Sequence, residues 1–325
     1  PDISNANLIT VARRADALGY HSFWTGESWG RDVFTVLTMV ACHTQSLRLG
    51  TGIATVFSRT PALLAQSIAS LDSISEGRAI LGLGTSGRIV IENWHGLPFK
   101  KPIARTREYI EIIRQALAGG PVNHQGEFFK LARFRMNARP VQQRLPIYLA
   151  TLGPKNLELT GQVADGWLPT WVDRNQLSGL KEQIAKSASK AGRDIADITV
   201  APYLFCYSAD TSEEMEEGRM CVRSHFAYYV GGMGEYYHGL VARSGYSAEA
   251  DAIRDAWAAG DRGKAAAAVS DAMLENICIL GSRDECRAKL DNFRSAGVDM
   301  PIIVFPHGST LPAILRTLEA LAPDA

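Results

Sequence analysis

Residues 47–94, LRLGTGIATVFSRTPALLAQSIASLDSISEGRAILGLGTSGRIVIENW, constrain the fold more than any other stretch. They read as strand, glycine-broken loop, helix, strand and a second glycine-rich loop. Leu47, Leu49 and Ile53 form an apolar run interrupted by Gly50 and Gly52. Glycine inside a strand pattern marks a bulge, or a place where a ligand comes close to the backbone. Thr60 is placed to cap a helix with Pro61 at its first position, and Leu64, Ile68, Leu71 and Ile74 give that helix one apolar stripe. Gly77 ends it. Residues 79–83 are then a mostly apolar strand, as expected of one buried on both faces. Gly84-Thr85-Ser86-Gly87 follows the carboxyl end of that strand. Two glycine-bearing strand ends joined by one helix point to a ligand site.

The same punctuation recurs. An amphipathic helix over 4–18, capped by Ser4 or Asn5, ends at Gly19 and leads into a strand at HSFWTGE. Helix, glycine and apolar strand return at SISEGR-AILGLG, VADG-WLPT and RSAGVDM-PIIVFP, the return half of a βαβ unit each time. Between them lie helices over 104–118 and 154–164, a polar hairpin in GPVNHQGEFFKL and a helix carrying Leu177, Leu180, Ile184 and Ala188. Thr211 with Glu214, and Ser282 with Glu285, have the spacing of capping boxes. Strands are expected near 22, 47, 79, 146, 165, 198 and 301, which is seven. A closed parallel (β/α)8 barrel needs eight, and a chain opening on a helix implies that the first strand is missing from the sequence. An open doubly wound sheet is the alternative. Residues 212–276 are helix-prone and precede the last strand, as an insertion over the mouth of a single barrel domain spanning 1–325.

Lys+Arg and Asp+Glu are both 34, so the formal charge is zero. This argues against a nucleic-acid partner, which would require a concentrated basic surface. Apolar residues make up 46%, yet no run nears the roughly 18 needed to span a membrane. The five cysteines show no C-x-x-C spacing, which fits a reducing cytoplasm without structural zinc. The first residues lack the apolar core of a signal peptide. No H-x-x-x-H or H-E-x-x-H occurs, so no metal site is expected.

With these residues in view, the chain resembles the luciferase-like monooxygenase superfamily, and within it the branch that uses the deazaflavin coenzyme F420. The resemblance runs from about residue 8 to 308. It rests on ADALGYHSFWTGE, LRLGTGI, RTPALLAQSIASLDSISEGRAILGLGTSG, RTREYIEIIRQAL, PIYLATLGPKNLEL and ADGWLPT. It implies a TIM barrel and gives the glycine loops roles. A non-prolyl cis peptide at Gly52–Ile53 would form a bulge against the deazaflavin ring. Thr85, Ser86 and Gly87 would hold the ribityl-phosphate tail. Thr151, Leu152, Gly153 and Pro154 would contact its phosphate, which a helix N-terminus at Pro154 suits physically.

The resemblance also points to Glu27 as a contact of the cofactor ring and to Trp29 as a wall of the substrate pocket. Relatives often carry a histidine here that handles protons, where this chain has Ser28 and Trp29. A competing reading pairs Glu27 with an arginine such as Arg31. His307, after the last strand, would lie at the catalytic rim, or be a solvated loop histidine. Trp24, Trp29, Phe57, Trp94, Trp167, Trp171 and Phe226 lean the pocket toward an apolar or ring-containing small-molecule substrate.

The function expected is hydride transfer between C5 of the deazaflavin and an organic substrate. The alternative is an FMN-dependent monooxygenase served by a reductase partner, from which the missing histidine tilts the reading away. A flavin-binding barrel without turnover, or a metal-free lyase or hydrolase, remain further readings. The superfamily implies a homodimer around helices two and three.

Overall fold

The computed structural model describes residues 3–323. The chain forms two compact units. The N-terminal unit comprises Ala15–Leu168 and Gln183–Thr199; the C-terminal unit comprises Pro169–Glu182, the described residues from Val200 onward, and those up to Arg14.

In the N-terminal unit, strands Ser22–Thr25, Arg48–Thr51, Ala79–Gly84, Ile147–Leu149 and Gly166–Trp167 lie side by side in that order, each parallel to the next. Parallel neighbours need crossovers, which helices Val33–Ala41, Pro61–Ile74, Pro102–Leu117 and Pro154–Val163 supply. The result is a parallel half-barrel, with all carboxyl ends of its strands along one edge. Strand Ala79–Gly84 is buried at every residue, as its unbroken apolar run predicts. Thr60 caps helix Pro61–Ile74 by accepting the Leu63 N–H at 3.2 Å. Leu64, Ile68 and Leu71 are at most 1% exposed, and each contributes roughly 2 kcal/mol through burial. Ile74, expected on the same stripe, is 52% exposed; it is the last helical residue and turns outward. The polar hairpin forms between Val122–Gln125 and Lys130–Phe134.

Two carboxylates, the buried Asp72 and the partly buried Asp165, tie connections to this sheet. Asp72 accepts the N–H groups of Ala79 at 3.2 Å, Val141 at 2.7 Å and Gln142 at 3.0 Å. Asp165 bonds Arg114, Arg144 at 2.8 Å and the Ile147 N–H at 2.8 Å. Burial alone would raise the Asp165 carboxyl; the Arg114 guanidinium, the Ile147 N–H and Arg144 outweigh it and hold it below the usual carboxylate range. Because the folded value is depressed, this stabilisation is fully present above the unfolded carboxylate pKa of about 4 and is lost as pH falls through the folded value. Urea midpoints should therefore drop steeply below about pH 4, and Asp165→Asn should flatten that dependence. An unchanged acid limb in the variant would contradict the assignment.

In the C-terminal unit, strand Tyr203–Ser208 lies between Cys278–Gly281 and Ile302–Val304, parallel to both. The single strand expected from 198 is two, Thr199–Val200 and Tyr203–Ser208; Pro202 lies in the break and has no N–H for a ladder. Both capping boxes form, at Thr211 with Glu214 and at Ser282 with Glu285. The stretch expected to be helical carries Ser212–Gly232, Glu235–Arg243, Ser247–Ala258, Arg262–Ala267 and Asp271–Ile277. It leads into strand Cys278–Gly281 and not directly into the last strand. That placement corrects the expectation: CILG follows its helix with no intervening glycine, so it lacks the punctuation by which the other strands were read.

Candidate functional site

The carboxyl edge of the half-barrel gathers the loops that the glycines announce. At the second strand the peptide Gly52–Ile53 is cis. The ladder around it is bulged. Gly50 pairs with Ile80 and Ala54 with Leu83, so four residue steps on one strand face three on the other. Thr51 mends the rung that the bulge removes. Its hydroxyl donates to the Gly82 carbonyl at 2.7 Å and accepts the Gly82 N–H at 2.8 Å. Thr51 is fully buried. Thr51→Val keeps the shape and strands both Gly82 groups, which should cost about 2 kcal/mol; an unaltered urea midpoint would show that the hydroxyl is dispensable.

The strand glycines have a second role that the sequence reading did not assign. A Cβ on Gly50 would overlap the Trp24 ring, and one on Gly82 would overlap the Thr51 carbonyl oxygen and meet Leu168 Cδ1 at 2.8 Å. A Cβ on Gly26 would overlap the Gly52 carbonyl oxygen. At Gly84, Ile53 Cδ1 would lie 3.0 Å away. These absences of a side chain are filled by the protein itself, and they let the bulge seat against its neighbours.

Glu27 follows the first strand. Arg59 grips it with both arms: Nη1 donates to Oε1 at 2.5 Å and Nη2 to Oε2 at 2.8 Å. Ser58 Oγ adds a bond at 3.1 Å and the Val33 N–H one at 3.4 Å. Arg59 also bonds Asp32, which caps helix Val33–Ala41 through the Thr35 N–H at 2.8 Å. Burial would raise the Asp32 carboxyl, but its bonds to Thr35 and the Arg59 charge hold it low. The arginine that grips Glu27 on both oxygens thus comes from 32 residues away, and proximity in sequence did not disclose it. Glu27 is a positioned acceptor with both oxygens engaged. Trp29, on the same loop, is 54% exposed.

Farther along the edge, Thr85 and Ser86 form a half-buried turn in which Ser86 takes φ 57°. Thr151 and Leu152 are 7% and 8% exposed. Thr151 Oγ1 shares a hydrogen bond with Thr160 at 2.7 Å, and its carbonyl accepts Trp167 Nε1 at 2.7 Å. Gly153 caps helix Pro154–Val163 without any side-chain bond, so N–H groups of the first turn lack the side-chain acceptor that Thr60 and Asp32 give their helices. A Cβ on Gly153 would meet nothing within 4 Å. The strand order brings Glu27, Gly52 and Ile53, Thr85 to Gly87, and Thr151 to Pro154 onto one edge in succession.

His307 belongs to the C-terminal unit and is exposed after strand Ile302–Val304. Its backbone N–H donates to His225 Nδ1 at 3.3 Å, a partnership 82 residues apart that no ligand spacing reveals. Of the aromatic residues read as pocket walls, Trp167 is fully buried, and Trp171 and Phe226 are 2% exposed within the core of the C-terminal unit. Trp94 is 63% exposed.

The sequence profile of the luciferase-like monooxygenase family matches residues 3–300. The 5,10-methylenetetrahydromethanopterin reductase of Methanolobus tindarius is 34% identical over 304 residues, covering 93% of this chain and 90% of that protein. The enzyme of the same name from Archaeoglobus fulgidus is 30% identical over 312 residues, covering 95% and 92%. Among solved structures, the coenzyme F420-dependent tetrahydromethanopterin reductase of Methanopyrus kandleri matches with a TM-score of 0.84 at 28% identity, over 99% of this chain and 95% of that one. The chain belongs to the luciferase-like monooxygenase family. It is an oxidoreductase. No helix among the described residues is long and apolar enough to cross a membrane.

Proposed function

We propose that this protein is a coenzyme F420-dependent oxidoreductase that moves a hydride between the deazaflavin and a ring-containing organic substrate. The observation that carries this reading is the nearly full-length match, in fold and in sequence, to an F420-dependent reductase. The residues on the carboxyl edge fit the cofactor. The uncapped helix start at Gly153 and Pro154 offers backbone donors to a phosphate. The small residues Thr85, Ser86 and Gly87 leave backbone within reach of the linking chain, and Ile53 on its bulge would back the ring.

When bound, F420 supplies C5 as the hydride donor or acceptor. The chain's own work is orientation and exclusion of water. Glu27, with both oxygens held by Arg59, fixes the loop that carries Trp29. Trp29 is the proposed wall for the substrate. Of the two paired histidines, His307 is the exposed one and the proposed proton carrier.

The test is anaerobic mixing with reduced F420 and a panel of cyclic ketones, imines and enones, following the return of oxidised deazaflavin absorbance together with product. Stoichiometric turnover with one substrate class supports the proposal. Turnover that requires reduced FMN and oxygen instead would replace it with the monooxygenase reading.

A further inference from the structure

The hairpin of strands Val122–Gln125 and Lys130–Phe134 has no part in the proposed reaction, yet its turn reaches the cofactor edge through one helix. Glu108, on helix Pro102–Leu117, accepts the N–H groups of Glu127 at 2.7 Å and of Phe128 and Phe129 at 3.1 Å. A Cβ on Gly126 would overlap the Glu108 carboxylate, so glycine there lets the turn close on it. The turn so held brings Phe128 and Phe129 against Arg105, three residues before Glu108 on the helix. The Arg105 guanidinium carbon lies 5.4 and 5.2 Å from their ring centroids, and 4.9 and 5.6 Å from those of Phe57 and Tyr109. Four aromatic faces hold the cation in place.

From this cage Arg105 Nε donates to the Val56 carbonyl at 2.8 Å. The Val56 N–H donates in turn to the Gly84 carbonyl at 3.0 Å. Val56 is therefore fixed on one side by the helix and on the other by the end of strand Ala79–Gly84. Four residues on from Arg105, the buried Tyr109 donates its hydroxyl to the Arg59 carbonyl at 2.5 Å. Residues 56–59 thus hang from the helix by the carbonyls at their two ends. The bulge with Ile53 precedes them, Arg59 reaches from their far end to Glu27, and Gly84 leads into the Thr85 loop. One helix face sets the spacing of three parts of the edge.

We propose that Arg105 is a positioning residue for the cofactor edge, acting through the Val56 carbonyl, and that the hairpin turn is its outer support. The inference rests on the reading of that edge as the cofactor site. Arg105 orders the segment between Ile53 and Glu27 before any cofactor arrives, so the bound ring meets a preformed wall.

The test compares Arg105→Met, which can fill the ring cage but cannot donate, with Arg105→Lys, which keeps the cation. Asp165→Asn is the control, because Asp165 bonds the Ile147 N–H at the amino ends of the strands, away from the edge. Each protein is titrated with F420 and with FMN by tryptophan quenching, and whichever the wild type binds is the probe. Amide hydrogen exchange of peptides covering residues 54–59 is read in parallel without cofactor. Arg105→Met is expected to weaken cofactor binding by about tenfold or more and to speed that exchange by about as much. Arg105→Lys should recover part of both losses. Asp165→Asn should lower the urea midpoint yet keep the affinity within about twofold, because its effect falls on stability alone. Should Arg105→Met fail to fold, Tyr109→Phe, which removes only the hydroxyl on the Arg59 carbonyl, should move both readouts in the same direction. Binding of FMN in place of F420 would overturn the F420 reading, while the same ranking of variants with FMN would support the positioning role. Unchanged exchange over 54–59 in Arg105→Met, an affinity loss no greater than in Asp165→Asn, or binding of neither cofactor by the wild type would each overturn the proposal.

Discussion

Gly82→Ala is expected to lower the melting temperature by roughly 6 °C or more, from a stability loss of about 3 kcal/mol. The added Cβ would overlap the Thr51 carbonyl oxygen and crowd Leu168 Cδ1. Neither neighbour can give way cheaply. The carbonyl is main chain in the bulged strand, and the Thr51 side chain is engaged with Gly82 on both its groups. Relief would require two adjacent strands to separate, and with them the Gly52–Ile53 loop that they carry. Gly30→Ala is the control, because a Cβ there meets nothing within 4 Å, and it should change stability by less than about 0.5 kcal/mol. Calorimetry on both variants makes the comparison. Equal melting temperatures would show that the close approach of strands at Gly82 is not what holds the bulge.

The second large effect falls on Arg59. Its side chain is 15% exposed and that of Glu27 is 12% exposed, so the pair is largely out of water. Arg59→Ala leaves the Glu27 carboxylate buried with only Ser58 and the Val33 N–H beside it, and also takes the guanidinium from Asp32. Removing one partner of a buried pair costs about 3 kcal/mol or more, because the remaining charge is left uncompensated. Arg59→Lys keeps the charge but not the two-armed grip, and should fall between wild type and alanine. Denaturant midpoints order the three proteins. An alanine variant within about 0.5 kcal/mol of wild type would mean that the ion pair contributes nothing to the loop.

These two cases show what the sequence discloses. The bulge near Gly52, the capped helix after Thr60, the buried strand at Ala79 and both capping boxes are local patterns, and local pattern is what periodicity and turn chemistry report. The cis bond was implied by resemblance to a family, not by spacing. Arg59 on Glu27 and His307 on His225 are contacts across 32 and 82 residues, which only the fold creates. Gly50 reads as a bulge or as room for a ligand, and it makes room for Trp24, as Gly82 in the buried strand makes room for Thr51. A missing side chain signals close approach without saying what approaches. Strand Cys278–Gly281 escaped because four residues are too few to show a period, and no glycine set it off from the helix before it.

The most direct test of the central claim is an equilibrium titration of the purified protein with F420 and, in parallel, with FMN, followed by quenching of tryptophan fluorescence. The account predicts saturable binding of F420 at least tenfold tighter than FMN, a difference of about 1.4 kcal/mol. Tighter binding of FMN, or equal affinity for the two, would contradict it.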